Sequence, residues 1–278
     1  MVGWLATVAA VLFTLGASAD DEAFTRHCAN PLPERDRDTL VIIIDDVGNN
    51  LSRGRAAVRL PGKLTYAVIP FTPYAQQLAQ AADDAGKEVM VHAPMSAVEN
   101  LPLGRGALTG ELSHDAFLTA LRDALDSLPQ ARGLNNHMGS ELTRQRLQMA
   151  WLMQELRARD LYFVDSRTSD ETVAATVAAE FRVPHLSRQV FLDNERSLEA
   201  IDARFRDALA LLHETGLAVA IGHPYPETLE YLRAALPLLT QAGIDLAFVS
   251  EVASPASAVS ACAETVEKVK AAARAAAG

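Results

Sequence analysis

Five hydrophobic runs in the sequence are followed directly by acidic or histidine side chains. These side chains are Asp45 with Asp46, His92, His137, Asp165 and His223. Carboxylates and imidazoles bind divalent metals and transfer protons near neutral pH. Taken singly, each has a structural explanation, because an Asp after a strand often caps a turn and a lone His is often only hydrogen-bonded. Gathered in one pocket, two histidines and a carboxylate are a suitable ligand set for Zn²⁺ or a similar ion, with a position left for water.

The hydrophobic runs alternate with longer amphipathic stretches from Thr39 to Val252. This alternation is typical of parallel strands joined by helical crossovers, and seven or eight strands in series favour an α/β barrel. Two of the runs, 40–44 and 217–221, are almost wholly apolar, so both faces of the sheet should be buried. The predicted strands are 39–44, 64–69, 88–91, 133–136, 161–164, 190–192, 217–221 and 246–249.

Amphipathic segments between the strands predict helices, and a long loop interrupts their rhythm. The predicted helices are 74–85, 115–128, 144–157, 198–213 and 227–242, with Gly86, Gly216 and Gly243 at C-caps and Ser113 at an N-cap. Segment 98–110 contains Pro102 and several glycines, so we expect a loop over the strand ends.

The barrel architecture predicts that the polar strand ends meet. The carboxyl ends of parallel barrel strands share one rim, so residues far apart in sequence converge there. The remaining histidines do not follow strands in this way and are interpreted as structural residues. They are His27, His114, His185 and His213.

The chain divides into four segments by composition. Residues 1–19 are uncharged, strongly apolar and end in Ala-Ser-Ala, which predicts a cleaved secretory signal and an exported, periplasmic protein. No Lys or Arg lies near Met1, so an uncleaved anchor or a different start site is the alternative. Residues 20–38 form a polar lead-in, 39–253 the α/β domain, and 254–278 an Ala-rich helix or tail.

Charge and cysteine content restrict the partners and the metal chemistry. The chain carries 35 acidic and 25 basic residues, a formal net charge of −10, which disfavours nucleic acid as a partner. The only cysteines, Cys28 and Cys262, cannot form a Cys-rich zinc site. In an oxidising compartment they could form a disulfide, and the alternative is two free thiols.

Four ordered blocks of sequence resemble the divergent polysaccharide deacetylase family, which is related to the metal-dependent carbohydrate deacetylases. They are Ile42-Ile43-Ile44-Asp45-Asp46-Val47-Gly48, Ala85-Gly86-Lys87-Glu88-Val89-Met90-Val91-His92-Ala93-Pro94-Met95, Asn135-Asn136-His137-Met138-Gly139-Ser140 and Gly222-His223-Pro224-Tyr225-Pro226. The resemblance covers about Thr39 to Val252. It implies a distorted (β/α) barrel of about seven parallel strands.

The resemblance also implies roles for individual residues. Asp45 would be the catalytic base, Asp46 and His92 would bind the metal, and His223 would be the acid that protonates the departing amine. The related deacetylases carry a second metal-binding His four residues after the first, where this chain has Ser96. We expect His137 to supply the replacement ligand.

Two residues near these blocks are assigned supporting roles. Asn136 precedes His137 in a block that is characteristic of the divergent branch. Asp165 could orient His223 or a ligand, and a capping role for it is the alternative.

The resulting hypothesis is a metal-dependent hydrolase, most simply with Zn²⁺, that removes N-acetyl groups from an envelope glycan such as peptidoglycan. The alternative is a catalytically degenerate glycan-binding or envelope-regulatory protein, which would have envelope proteins as partners. A serine hydrolase is disfavoured because the chain contains no Gly-x-Ser-x-Gly sequence.

Overall fold

The structure, a computed structural model, describes residues 38–99 and 101–254. The predicted signal segment, nearly all of the lead-in, both cysteines and residues 255–278 of the Ala-rich segment lie outside the described residues. Their assignments therefore stay predictions. In the described part, no helix is both long and apolar enough to cross a membrane.

The described ranges contain nine strands. They are β1 (Thr39–Val47), β2 (Thr65–Val68), β3 (Glu88–Met95), β4 (Gly133–Met138), β5 (Tyr162–Asp165), β6 (His185–Ser187), β7 (Val190–Phe191), β8 (Leu217–Gly222) and β9 (Asp245–Ala247). Each predicted strand is confirmed to within a few residues at its ends. The short strand β6 was not predicted, because three residues beginning with His185 give too little hydrophobic pattern.

Eight α-helices and one 3₁₀ turn (Leu142–Arg144) connect these strands. The helices are α1 (Leu51–Val58), α2 (Ala75–Asp84), α3 (His114–Asp126), α4 (Arg146–Ala158), α5 (Ala174–Glu180), α6 (Leu198–Thr215), α7 (Pro226–Gln241) and α8 (Val249–Val252). The five predicted helices are confirmed as α2, α3, α4, α6 and α7, and α1, α5 and α8 were missed because they have eight residues or fewer. The Ser113 hydroxyl accepts the Ala116 N–H at 3.3 Å, which confirms the predicted N-cap. The segment from Ser96 to Ser113 contains neither helix nor strand within its described residues, as predicted for a loop.

The strands form one parallel sheet in the order β6-β5-β4-β3-β2-β1-β8-β7. The first residues of β1 pair with β9 on the edge that further along pairs with β2. All named pairs are parallel, which the helical crossovers require. The predicted α/β barrel is confirmed in its strand direction and curvature, and the described sheet has nine strands rather than about seven.

Two layers of core residues show how the sheet curves. Alternate residues of β1 face opposite layers, with Leu40, Ile42 and Ile44 packing against the helices and Val41 and Ile43 facing inward. The inner cluster joins residues from strands that are distant in the sheet order, including Leu186 of β6 and Val219 of β8. Strands at the two ends of the sheet can share one cluster only because the sheet curls around it. The predicted burial of both faces is therefore confirmed.

The amino-terminal end of the barrel interior is closed by a buried polar cluster. One Glu88 carboxylate oxygen accepts hydrogen bonds from the Thr65 hydroxyl at 2.9 Å and the Tyr162 hydroxyl at 3.0 Å. The Ser250 N–H of α8 donates to the same oxygen at 3.2 Å. Because these groups satisfy one another, the carboxylate can be buried at this end, and the opposite rim is left to form the site.

Candidate metal and catalytic site

Inward-facing positions at the carboxyl ends of several strands carry the polar side chains of the site. Side chains alternate between the two faces of a strand, so Asp45 follows the inward Ile43, and His92 follows the inward Met90. Asn135 pairs with His92 in the β3–β4 register, and His223 lies two residues beyond the inward Ile221. The predicted convergence at one rim is therefore observed.

Asp46 would face away from the site if β1 continued regularly. The register between β1 and β2 shifts between Ile44 and Val47, and Asp46 adopts a left-handed φ of 57°. Asp is among the few non-glycine residues that tolerate this conformation, and an irregularity of this kind redirects side chains. As a result, both Asp45 and Asp46 contribute carboxylates to the same site.

Asp46, His92 and His137 bring three ligand atoms together. The Asp46 Oδ1 atom lies 2.9 Å from His137 Nδ1 and 3.3 Å from His92 Nε2. The two ring nitrogens are 3.1 Å apart. His92 is buried, whereas Asp46 and His137 are partly exposed, so the group opens toward solvent on one side.

These three residues fit a divalent cation. Asp46 Oδ1 is buried and finds no hydrogen-bond donor among the described residues, although two imidazole nitrogens lie beside it. Zinc bonds of about 2.0–2.1 Å in a tetrahedral arrangement place ligand atoms about 3.3 Å apart, close to the separations observed. One carboxylate and two imidazoles also leave at least one coordination position vacant for water or substrate.

Asn135 fixes the proton arrangement of the site. Its amide N–H donates to Asp45 Oδ1 at 2.9 Å, and its carbonyl oxygen lies 2.7 Å from His92 Nδ1. Since an ionised carboxylate only accepts, the amide orientation is determined, and the carbonyl must then receive a proton from His92 Nδ1. Neutral His92 therefore presents an Nε2 lone pair to the position between the ligands, which is how a metal-binding His is normally oriented.

Burial and neighbouring charges shift the pKa values of these groups in different directions. Burial raises the pKa of Asp45, and the charges of His92 and His223 and the Asn135 hydrogen bond offset only part of the shift. Burial would also raise the pKa of Asp46, but close contact with His137 and His92 lowers it well below its usual range. Burial alone would lower the pKa of His92, but Asp45 and Asp46 raise it to about 9. A bound cation would take the place of the proton that this arrangement attracts.

Asp193 orients His223. One Asp193 oxygen lies 2.8 Å from His223 Nδ1, and the other accepts the His223 backbone N–H at 2.6 Å and the Thr228 hydroxyl at 2.7 Å. His223 Nε2 consequently points toward Asp46 Oδ2, 3.9 Å away. Burial would lower the pKa of His223, but the hydrogen bond and charge of Asp193 raise it.

Two aromatic rings hold the His223 imidazole between them. The Phe191 ring is stacked 5.5 Å from it at an interplanar angle of 8°, and the Tyr225 ring lies 5.2 Å away at 30°. Guanidinium groups cover the outer faces, with Arg188 4.4 Å from the Phe191 centroid and Arg196 3.6 Å from that of Tyr225. The ring therefore has little freedom to rotate away from the site.

Asp165 and Asn136 lie outside this arrangement. Asp165 accepts the Arg167 backbone N–H and the Thr172 hydroxyl, both at 2.9 Å. Of its two predicted roles, the structure therefore shows the capping role, and Asp193 occupies the position that orients His223. Asn136 accepts the Ser166 N–H at 2.9 Å and donates to the Met138 carbonyl at 2.6 Å, so it supports the loops after β4 and β5.

Ser96 stands where the related deacetylases have their second His. Its backbone oxygen accepts the N–H groups of Glu141 and Leu142, and its N–H donates to the Leu108 carbonyl at 3.0 Å. The residue thus ties β3 to the loop after β4. The nitrogen nearest to Asp46 comes from His137, as expected, and the ligand roles of Asp46, His92 and His137 remain predictions.

Sequence reasoning missed Asn135 and Asp193. Asp193 follows the predicted strand 190–192, so the rule that identified the other strand ends would also have selected it. Asn135 could have been chosen over Asn136 from the alternation of inward and outward positions.

Comparison with known proteins supports the resemblance noted in the sequence. The chain is 36% identical over 194 residues to the uncharacterised Escherichia coli protein YibQ, and the match covers 70% of this chain and 61% of YibQ. The chain therefore spans less than two thirds of that relative. A second uncharacterised relative, from Haemophilus influenzae, is 36% identical over 197 residues, which are 71% of this chain and 70% of that protein.

Among solved structures, an uncharacterised Agrobacterium tumefaciens protein superposes with a TM-score of 0.73 at 19% identity. The superposition covers 84% of this chain and 96% of that one, which shows a shared fold. The family model described as divergent polysaccharide deacetylase matches residues 42–253, which contain all the side chains of the site. The chain belongs to the divergent polysaccharide deacetylase family.

Proposed function

We propose that this chain is a metal-dependent hydrolase that removes N-acetyl groups from an envelope glycan. The observation that carries the proposal is the convergence of Asp46, His92 and His137, with Asp45 and His223 beside them. Family membership supports deacetylation of a carbohydrate as the reaction class. Fold alone would not support it, because one fold can host many activities.

Asp46, His92 and His137 would hold the divalent cation, for which Zn²⁺ is our candidate. When bound, such a cation increases the acidity of water and the polarity of a carbonyl group. The Asn135 contacts keep His92 Nδ1 protonated and leave Nε2 free, so this ligand is oriented before a cation arrives.

Asp45 is suited to act as the base. It is buried, lies 3.7 Å from His92 Nε2, and is held by Asn135 on its other oxygen. Its raised pKa makes it a stronger base than an exposed carboxylate, provided that it is ionised at the working pH. In the proposed reaction, Asp45 accepts a proton from the attacking water.

His223 is suited to act as the acid. Asp193 fixes its Nδ1 side and raises its pKa, so Nε2 carries the proton that faces the site. This proton passes to the amide nitrogen as the carbon–nitrogen bond breaks. Water and the N-acetyl group are thereby converted to acetate and a free amino group.

A second candidate function is glycan binding or envelope regulation without catalysis. The observation that favours it is Ser96, which stands at the usual position of a metal-binding His. We propose that the protein is exported to the periplasm in either case, on the basis of its apolar first 19 residues. Peptidoglycan is our candidate glycan, and envelope proteins are candidate partners for the regulatory function.

Acetate release distinguishes the two functions. Protein incubated with chelator and then with Zn²⁺ should release acetate from an N-acetylglucosamine oligomer, and the chelated protein should not. The matched control is Asp45→Asn, which should bind Zn²⁺ but release no acetate. Glycan binding with neither bound metal nor acetate release would favour the second function.

A further inference from the structure

A small groove leads away from Asp46 along the rim. It encloses about 170 Å³ and is lined by residues of the β1–α1 connection, the first turn of α1 and the segment after β8. The principal side chains are Asp46, Asn49, Arg53 and Tyr225. Complete ligand pockets enclose roughly 300–1,000 Å³, so this groove has room for only a part of a ligand. Because Asp46 forms one end of the groove, an occupant would lie directly beside the reacting group.

The groove contains an arginine that has no acidic partner. Arg53 is exposed, and its guanidinium contacts no carboxylate within the ranges that the structure describes. Other arginines of the chain do pair with acids, including Arg144 with Glu171 and Arg206 with Asp202. Asp46 is the one acidic residue among the lining residues, and its charge would be offset by a bound cation. In a chain of net charge −10, this groove is therefore locally suited to an anion.

A second guanidinium lies behind the opposite wall. Tyr225 presents its ring between the groove and His223, and Arg196 lies 3.6 Å from the ring centroid. An aromatic wall with arginine near both sides is typical of sites that bind a sugar ring carrying a negative group.

We propose that this groove binds a carboxylate-bearing part of the glycan, so that the substrate is an acidic amino-sugar polymer rather than a neutral one. The inference rests on the proposed function for the glycan nature of the ligand. The planar Arg53 guanidinium can bind both oxygens of one carboxylate, which places the charged substituent at a fixed distance from the acetyl group near Asp46.

The test compares two matched probes. One is the disaccharide of N-acetylglucosamine and N-acetylmuramic acid, and the other is the same disaccharide with its carboxylate converted to a carboxamide. Calorimetric titration of the full chain carrying Asp45→Asn, in the presence of Zn²⁺, prevents turnover. We expect the acidic probe to bind about tenfold more tightly, and Arg53→Gln to remove that preference while Arg53→Lys retains part of it.

Arg55→Gln is the matched control, because Arg55 is an exposed arginine of the same helix that does not line the groove. Equal affinity for the two probes, or equal effects of Arg53→Gln and Arg55→Gln, would overturn the inference. Acetate release by the wild-type chain without an acidic preference would leave the proposed function standing. An acidic preference dependent on Arg53 without any acetate release would leave the groove and remove the proposed function.

Discussion

Replacing Asn135 tests whether the site is organised from behind its ligands. Asn135 is fully buried, and its amide joins His92 Nδ1 at 2.7 Å to Asp45 Oδ1 at 2.9 Å. In Asn135→Ala, His92 loses the group that keeps Nδ1 protonated, so its neutral form can place the lone pair on the wrong nitrogen. Groups that orient a metal-binding His in this way contribute about 10- to 100-fold to metal affinity. This corresponds to about 1.4–2.7 kcal/mol.

The neighbouring residue provides a matched control. Asn136 is equally buried on the same strand, but it bonds the Met138 carbonyl and the Ser166 N–H instead of the site. Zn²⁺ affinity measured by competition with a chromophoric chelator should fall about 10- to 100-fold in Asn135→Ala and stay nearly constant in Asn136→Ala. Both variants should lose stability, because each leaves buried polar groups unpaired. Equal losses of Zn²⁺ affinity in the two variants, or none in Asn135→Ala, would refute the reasoning.

Three further predictions concern the base, the acid and the packing beneath the rim. Asp45→Asn should keep bound Zn²⁺ but lower kcat at least about 100-fold, since the base contributes roughly that much, and an unchanged kcat would exclude Asp45 as the base. Asp193→Asn should move the basic limb of the kcat/KM pH profile to lower pH. The reason is that activity requires protonated His223 and Asp193 raises its pKa, so an unmoved limb would contradict this pairing. Gly54→Ala should destabilise the fold by about 1–3 kcal/mol in urea unfolding, because the added Cβ would lie 2.4 Å from the buried Leu78 side chain. A stability equal to wild type would show that α1 and α2 adjust freely.

Much of the fold follows from hydrophobic pattern. The apolar runs of β1 and β8 predicted strands buried on both faces, and the observed inner and outer clusters confirm this. The missed elements, β6 and helices α1, α5 and α8, are all short. A few residues carry little periodic signal, and their structure depends on contacts with the rest of the barrel.

The site was predictable wherever alternation along a strand applies. Counting from inward core residues in steps of two would have selected Asn135 over Asn136, and Asp193 from Phe191. The same count fails for Asp46, because the register shift in β1 and its left-handed backbone turn an outward position into the site. Such an irregularity depends on packing against β2, which the pattern of β1 alone does not reveal.

The most direct test of the account is the metal content of the histidine variants. Purified wild-type chain, reconstituted with Zn²⁺ and dialysed, should retain about one equivalent by elemental analysis, the number that one tetrahedral site holds. His92→Ala and His137→Ala should each retain little, because removing either imidazole leaves Asp46 with a single partner. His114→Ala, which alters an exposed histidine on α3, should retain as much as wild type. Full retention by both site variants would contradict the claim that Asp46, His92 and His137 bind one ion.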